Sequence, residues 1–272
     1  MTGPENDDFP YTSVVLTGGS SGIGKSFVSH IGKLKRDVFI CNLSRREPEQ
    51  VLDQLNLRHI ETDLSDPASR GAALAQVLAT LRERAPEGPV LLINNAGLGK
   101  FGTFGETDIA SHQNLIEVNI AAVVELTAGL LPVLQARGGT IMNLASVVAF
   151  QPTPFMACYG ATKAFVLQWS YALRAELAPQ GVRVLAVCPG STASEFHDRA
   201  GMQRGGWGDR FTQTSDQVVR EALAALQTDR GHVVTGWLNK VQCALLSRLP
   251  LRLSTWLSHR VLSSYVPTKP AN

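Results

Sequence analysis

Short apolar runs alternate with longer stretches of helical periodicity through most of the chain. Aliphatic and β-branched runs over residues 13–17, 38–43, 57–62, 90–94, 140–146 and 182–188 predict six strands. Between them, apolar residues recur every three or four positions. Over residues 66–84, Leu74, Val77, Leu78 and Leu81 share one helical face, and similar patterns cover residues 23–33, 112–136 and 155–178. Consecutive parallel strands need crossover connections, which helices supply. Right-handed crossovers then lead to an α/β fold with a doubly wound parallel sheet, the Rossmann fold. The pattern predicts a single such domain over residues 1–235, including a Gly-rich, small-polar substrate loop at about 191–215, and a helical C-terminal extension over 236–272.

The bulk numbers narrow the class of protein. The 272 residues suffice for one large domain with a substantial core, and a formal net charge of +2 gives no footprint for nucleic acid. Cys41, Cys158, Cys188 and Cys243 are scattered, without metal or disulfide spacing, and the histidines are equally dispersed, so no metal site is expected. The acidic, polar start of the chain is neither a signal nor a transit peptide, and no apolar run reads as long enough to span a bilayer. A cytoplasmic protein is expected.

Candidate chemistry clusters at predicted strand ends. After the first strand, Thr17-Gly18-Gly19-Ser20-Ser21-Gly22-Ile23-Gly24 lets the backbone turn sharply against a pyrophosphate at a helix N-terminus. Its spacing is GxxxGxG, not GxGxxG. At the end of the second strand, where an acid would accept hydrogen bonds from a ribose, stands Asn42, followed by Ser44, Arg45 and Arg46. Two guanidinium groups suit a 2′-phosphate, which favours NADP(H). Asp63 and Leu64 at the third strand end, and Asn95, Ala96 and Gly97 at the fourth, lie on the same carboxyl edge. Tyr159 and Lys163, four residues apart on a predicted helix, share one face, and a lysine cation favours the phenolate. Ser146 adds a hydroxyl at the same edge.

These motifs, in this order, resemble a classical short-chain dehydrogenase/reductase (SDR) over almost the whole of residues 13–196. The resemblance rests on TGGSSGIG at 17–24, NNAG at 94–97, Asn119, Ser146, YGATK at 159–163, and Pro189-Gly190 after the sixth strand. It implies that Tyr159 is the general acid for carbonyl reduction, with Lys163 tuning it and binding the nicotinamide ribose. Ser146 would hold the substrate oxygen and Asn119 a proton-relay water. Pro189, Gly190, Thr192 and Ser194 would hold the nicotinamide carboxamide, with Ser194 where the family usually has threonine. The implied activity is NADP(H)-dependent reduction of a carbonyl to an alcohol by a homodimer or homotetramer built on the long helices. The competing reading is an NADP(H)-binding scaffold without chemistry, which the presence of all four catalytic positions disfavours. An epimerase or dehydratase is disfavoured by length and motif spacing.

Leu98, Phe101, Val147, Gln151, Phe155, Met156 and the loop from Glu195 to Met202 are the candidate substrate wall. They are mostly apolar and lack a cationic clamp for a carboxylate, so a hydrophobic ketone or acyl-chain substrate is expected. From Arg230 onward the chain has no acidic residue, and basic residues interleave with Trp237, Leu245, Leu253, Trp256 and other apolar positions. This predicts two amphipathic helices divided near Pro250. They either pack over the site, form a subunit interface, or lie on an anionic membrane as a peripheral contact.

Overall fold

In the computed structural model, residues 9–48, 55–85, 87–202 and 212–266 are described, apart from the side chains of 197 and 198. The first eight residues and 203–211 of the predicted substrate loop lie outside that set. The strands β1 (Ser13–Thr17), β2 (Phe39–Ser44), β3 (Leu57–Glu61), β4 (Val90–Asn94), β5 (Thr140–Leu144) and β6 (Arg183–Cys188) are the six predicted ones, displaced by a residue or two at their ends. A seventh, β9 (His232–Val234), pairs with β6. At three residues it is too short to leave an alternation signal. The main sheet is wholly parallel, in the order β3-β2-β1-β4-β5-β6-β9. A two-stranded ladder, β7 (Thr192–Ala193) with β8 (Gln213–Thr214), stands beside it.

Strand parity distributes the core between two layers. Val14 and Leu16 face α1 (Gly22–Leu34) and α7 (Ser215–Ala225), joining Phe27, Ile31, Val219 and Ala222. Val15 and Leu92 face the opposite way, toward α2 (Pro67–Arg84) and α4 (Ala122–Arg137), meeting Val77, Leu81, Leu126 and Leu130. The α7 helix was not legible in the pattern, although Thr214 and Gln217 close a capping box at its start.

The helix predicted over 112–136 is composite. It comprises α3 (Ile109–Ile116), a π turn (Glu117–Ala121) and α4. The whole segment Ile109–Arg137 is long and apolar enough to cross a membrane, contrary to the sequence expectation. It does not read as a span, because Leu115, Val118, Leu126, Leu130 and Leu134 are buried in the body of the protein. The predicted helix over 155–178 is α5 (Ala157–Leu177), shortened because Phe155 adopts φ 63°, which ends helical geometry on that side.

One buried charge ties this face together. Arg70 on α2, with its side chain 2% exposed, pairs with Glu125 on α4 at 2.6 Å and with Glu117 in the π turn at 2.9 Å. It also donates to the Leu64 carbonyl at 2.8 Å. The Glu125 carboxyl is held below its ordinary pKa by that guanidinium. Arg70→Met, which keeps the bulk and removes the charge, should destabilise the protein by about 3 kcal/mol in urea unfolding. A change under about 0.5 kcal/mol would show that the pairs carry no net stabilisation.

Candidate active site

The strand order reverses between β1 and β4, so the loops leaving their carboxyl ends diverge and open a crevice. The two loops are stitched at its base. The Asn95 and Ala96 amides both donate to Thr17 Oγ1 at 3.0 Å, and Asn95 Nδ2 donates to the Thr17 carbonyl at 2.8 Å. Gly18 turns with φ 72°, and a Cβ there would lie 3.1 Å from the Ala96 backbone. A Cβ on Gly24 would lie 2.0 Å from the Gly18 carbonyl. The turn therefore has no room for side chains and presents bare backbone at the start of α1, the form a pyrophosphate cradle requires.

Asn42 does not lie where the sequence suggested. The second strand continues to Ser44, so Asn42 is inside it and fully buried. Its Oδ1 accepts from the Gly19 amide at 2.8 Å, bracing the glycine turn instead of facing a ribose. The strand-end positions are Ser44, Arg45 and Arg46. With Ser20, Leu64 and Arg199 they line a small pocket of about 80 Å³. No carboxylate lines this pocket among the described residues. Asp63 stands outside it, its carboxylate accepting from the Ser65 amide and hydroxyl.

The main cavity holds about 840 Å³. At one end it is lined by Gly18, Ser21, Gly22, Ile23, Gly24, Asn95, Ala96 and Gly97; Ser146, Tyr159 and Lys163 line it deeper. Pro189, Gly190, Thr192 and Ser194 border it on the β6 side. Thus all but a few of the predicted site residues meet in two adjoining hollows.

Lys163 is buried and donates from Nζ to the Leu144 carbonyl at 2.7 Å, which holds its ammonium at the end of β5. Its Nζ is 5.9 Å from the centre of the Tyr159 ring. Burial lowers the lysine from its ordinary 10.5 to about 8. The phenol moves the opposite way to the sequence expectation. Burial pushes Tyr159 up to about 12, and the Ser146 hydroxyl within hydrogen-bonding reach offsets only part of this. In this enclosed pocket desolvation is the largest effect on the phenol. The phenol therefore holds its proton more tightly than a free tyrosine does. The Phe196 ring, 5.3 Å from that of Tyr159, helps cover it.

Ser146 lies just past β5, capping a short 3-10 turn (Val147–Phe150) by accepting from the Val148 amide. Asn119 does not line the cavity. It sits in the π turn, where its Oδ1 accepts from the Leu98 amide at 2.8 Å. Its Nδ2 donates to the Leu98 carbonyl at 2.9 Å and to Thr162 Oγ1 at 3.0 Å. The side chain therefore clamps the loop after β4 to the helix that carries Tyr159 and Lys163.

Of the expected substrate wall, Leu98, Val147, Gln151, Met156, Glu195, Phe196 and Met202 line the cavity. Phe101 and Phe155 do not; they form an aromatic layer behind it with Tyr265, closed by His259 against Phe155 at 5.1 Å. The C-terminal segment supplies the rest of the wall. The predicted boundary at 235/236 falls between β9 and α8 (Trp237–Leu246), which leads to α9 (Leu251–Leu262). Leu238, Leu246, Leu257, Ser258, Leu262 and Tyr265 close the cavity, so the tail packs over the site. Amphipathic periodicity revealed these helices but not which element they cover. A Cβ on Gly190 would lie 2.3 Å from Asn239 Nδ2, so a glycine lets α8 seat directly on the loop after β6.

The sequence pattern of the short chain dehydrogenase family matches residues 12–204. The chain belongs to that family. It is 31% identical over 252 residues to the uncharacterized oxidoreductase YbbO of Escherichia coli, covering 90% of this chain and 87% of that one. It is 33% identical over 190 residues to the ketoacyl reductase HetN of a Nostoc species, covering 65% of this chain and 62% of that one. Among solved structures, a short-chain dehydrogenase from Sphingobium yanoikuyae in complex with NADPH superimposes with a TM-score of 0.69 at 32% identity, covering 89% and 97% of the two chains. In this short-chain dehydrogenase the glycine cradle and the arginine-lined pocket fit a phosphorylated dinucleotide: bare backbone where a diphosphate approaches, and Arg45, Arg46 and Arg199, the last two paired with Glu195, where a further phosphate would lie.

The lysine makes a prediction about stability. An ammonium held at about 8 opposes folding at every pH below that value, and the opposition fades as pH rises toward 10.5. Lys163→Met should therefore melt higher than the wild type at pH 7, by on the order of 5 °C, and lose most of that advantage near pH 10. A lower melting temperature at pH 7 would show that the bond to the Leu144 carbonyl outweighs the desolvation.

Proposed function

We propose that this short-chain dehydrogenase is an NADP(H)-dependent reductase of hydrophobic carbonyl compounds, a ketone or an acyl-chain carbonyl. The geometry that carries the reading is the buried Tyr159, with Ser146 within hydrogen-bonding reach and Lys163 one helical turn on, in a cavity walled mostly by apolar side chains. Ser146 donates a hydrogen bond to the substrate oxygen and fixes the carbonyl against Tyr159. Tyr159 gives its proton to that oxygen as the alcohol forms. When bound, NADPH supplies the hydride that the carbonyl carbon accepts. Lys163 holds positive charge beneath the phenol, stabilising the tyrosinate left behind, and offers its remaining N–H groups to the nicotinamide ribose. Asn119 is a positioning residue, and the π turn around it gives the backbone a site for the relay water. Thr192 and Ser194 orient the carboxamide, and Gln151 borders the substrate.

Arg45 and Arg46 read the 2′-phosphate, in keeping with the NADPH complex of the Sphingobium relative. A hydrophobic acyl carbonyl accords with the ketoacyl reductase among the relatives and with an apolar wall. Exposed Ile116, Phe165 and Tyr171 on α3 and α5 offer a surface for a homodimer or tetramer, and a cytoplasmic site of action belongs to the same proposal.

Initial rates of NADPH oxidation against ketones, aldehydes and 3-oxoacyl thioesters test the chemistry. Tyr159→Phe should lower kcat at least a thousandfold while leaving the NADPH dissociation constant within about threefold. Tight cofactor binding without turnover on the whole panel would favour the scaffold reading instead. Replacing both arginines by serine should weaken NADPH binding by about a hundredfold and NADH binding hardly at all. An equal loss for both cofactors would refute the 2′-phosphate assignment.

A further inference from the structure

The two C-terminal helices are apolar on both faces: Leu238, Leu246, Leu257 and Leu262 line the cavity, and a second apolar set faces outward. On α9 the buried positions are Ser254 and Ser258, at 1% and 5% exposure, while Leu253, Trp256 and Val261 stand 43%, 54% and 54% exposed. Leu253, Trp256 and Arg260 follow at i, i+3 and i+7 and share one face, with the Arg260 guanidinium 5.5 Å from the Trp256 ring centre. On α8, Trp237, Val241 and Leu245 form an exposed stripe at i, i+4 and i+8, which exposed Arg248 continues. A helix with tryptophan outside departs from the arrangement water favours. Apolar faces of this extent mark contact surfaces.

Charge points to the partner. Up to Asp229 the chain has nineteen Lys and Arg against twenty-three Asp and Glu, a formal net of −4; from Arg230 it has six and none, a net of +6. Of these, Arg248, Arg252 and Arg260 stand exposed on or beside the two helices, while Lys240 pairs with Glu221 at 3.0 Å; two copies of such a face would repel across a twofold axis. An anionic bilayer satisfies both properties at once, taking apolar side chains into its acyl boundary and cations at its headgroups. The cavity also opens here. Val241, Leu245 and Val261 line it and are exposed, giving it an apolar rim between the helices, whereas Glu195 and Arg199 make a charged rim on the cofactor side.

We propose that the outer face of α8 and α9 docks on anionic phospholipid membranes and turns the apolar rim of the cavity into the lipid. A hydrophobic substrate then reaches the site from the bilayer while the cofactor reaches it from water. Docking itself does not depend on the proposed chemistry, and vesicle binding, which decides it, is measured without turnover.

The full-length protein is sedimented with vesicles of pure phosphatidylcholine or of phosphatidylcholine with phosphatidylglycerol. Binding should be at least tenfold tighter to the anionic vesicles and fall at least fivefold in 0.5 M salt, and tryptophan emission should shift to the blue on binding. Trp237→Ser with Trp256→Ser, neither residue lining the cavity, should weaken binding at least tenfold and leave turnover of a water-soluble carbonyl unchanged. Arg248→Glu with Arg252→Glu should abolish the preference for anionic lipid. Wild-type protein that stays in the supernatant with phosphatidylglycerol at low salt overturns the proposal. So does an oligomer that the tryptophan variant dissociates, which would assign the face to a second copy of the chain.

Discussion

The divergence of the chain at β1 and β4 is the constraint on which the rest of the site depends. The order of the parallel strands proceeds in opposite directions from that seam, which leaves the terminal loops of β1 and β4 without a neighbour between them. Thr17 and Asn95 hold the two loops together below, and glycines keep the opening clear above. The hollow therefore exists because of topology, before any side chain contributes chemistry. Ser146, Tyr159 and Lys163 reach it because β5 and α5 lie next along the same edge.

Burial then sets the character of those side chains. The same exclusion of water that keeps the Tyr159 proton in place makes an ammonium at Lys163 costly. The lysine is retained with one hydrogen bond to the end of a strand, a partial compensation that leaves its remaining protons for a ligand. Buried amides do the positioning. Asn119 joins the loop after β4 to α5. A chain of Thr127, Asn94, Asn143 and Ser170 joins α4, β4, β5 and α5 behind the site. Both sets hold the helix bearing Tyr159 and Lys163 at a fixed height over the sheet.

The C-terminal helices change what the floor of that hollow faces. They replace an open cleft by a walled cavity whose lining is aliphatic on one side and polar on the other. Their outward faces carry exposed apolar side chains as well. One segment therefore shapes the pocket from within and defines a surface from without.

The sequence by itself determined the α/β class, six of the seven strands of the sheet, and most of the strand-end residues that line the two hollows. These features are local: strand runs, a glycine turn, and a tyrosine and lysine one helical turn apart announce themselves over a few residues. Tertiary structure alone decided the rest. β9 is stable as a strand only because β6 is beside it, and Asn42 points to Gly19 because β2 runs on to Ser44. The direction in which the Tyr159 pKa moves depends on how completely its surroundings exclude water, which no spacing along the chain encodes. The periodicity of the tail announced two amphipathic helices, but an apolar stripe has no address. Whether it faced the pocket, the solvent or both was decided by where Asn239 and Ser258 found room to pack.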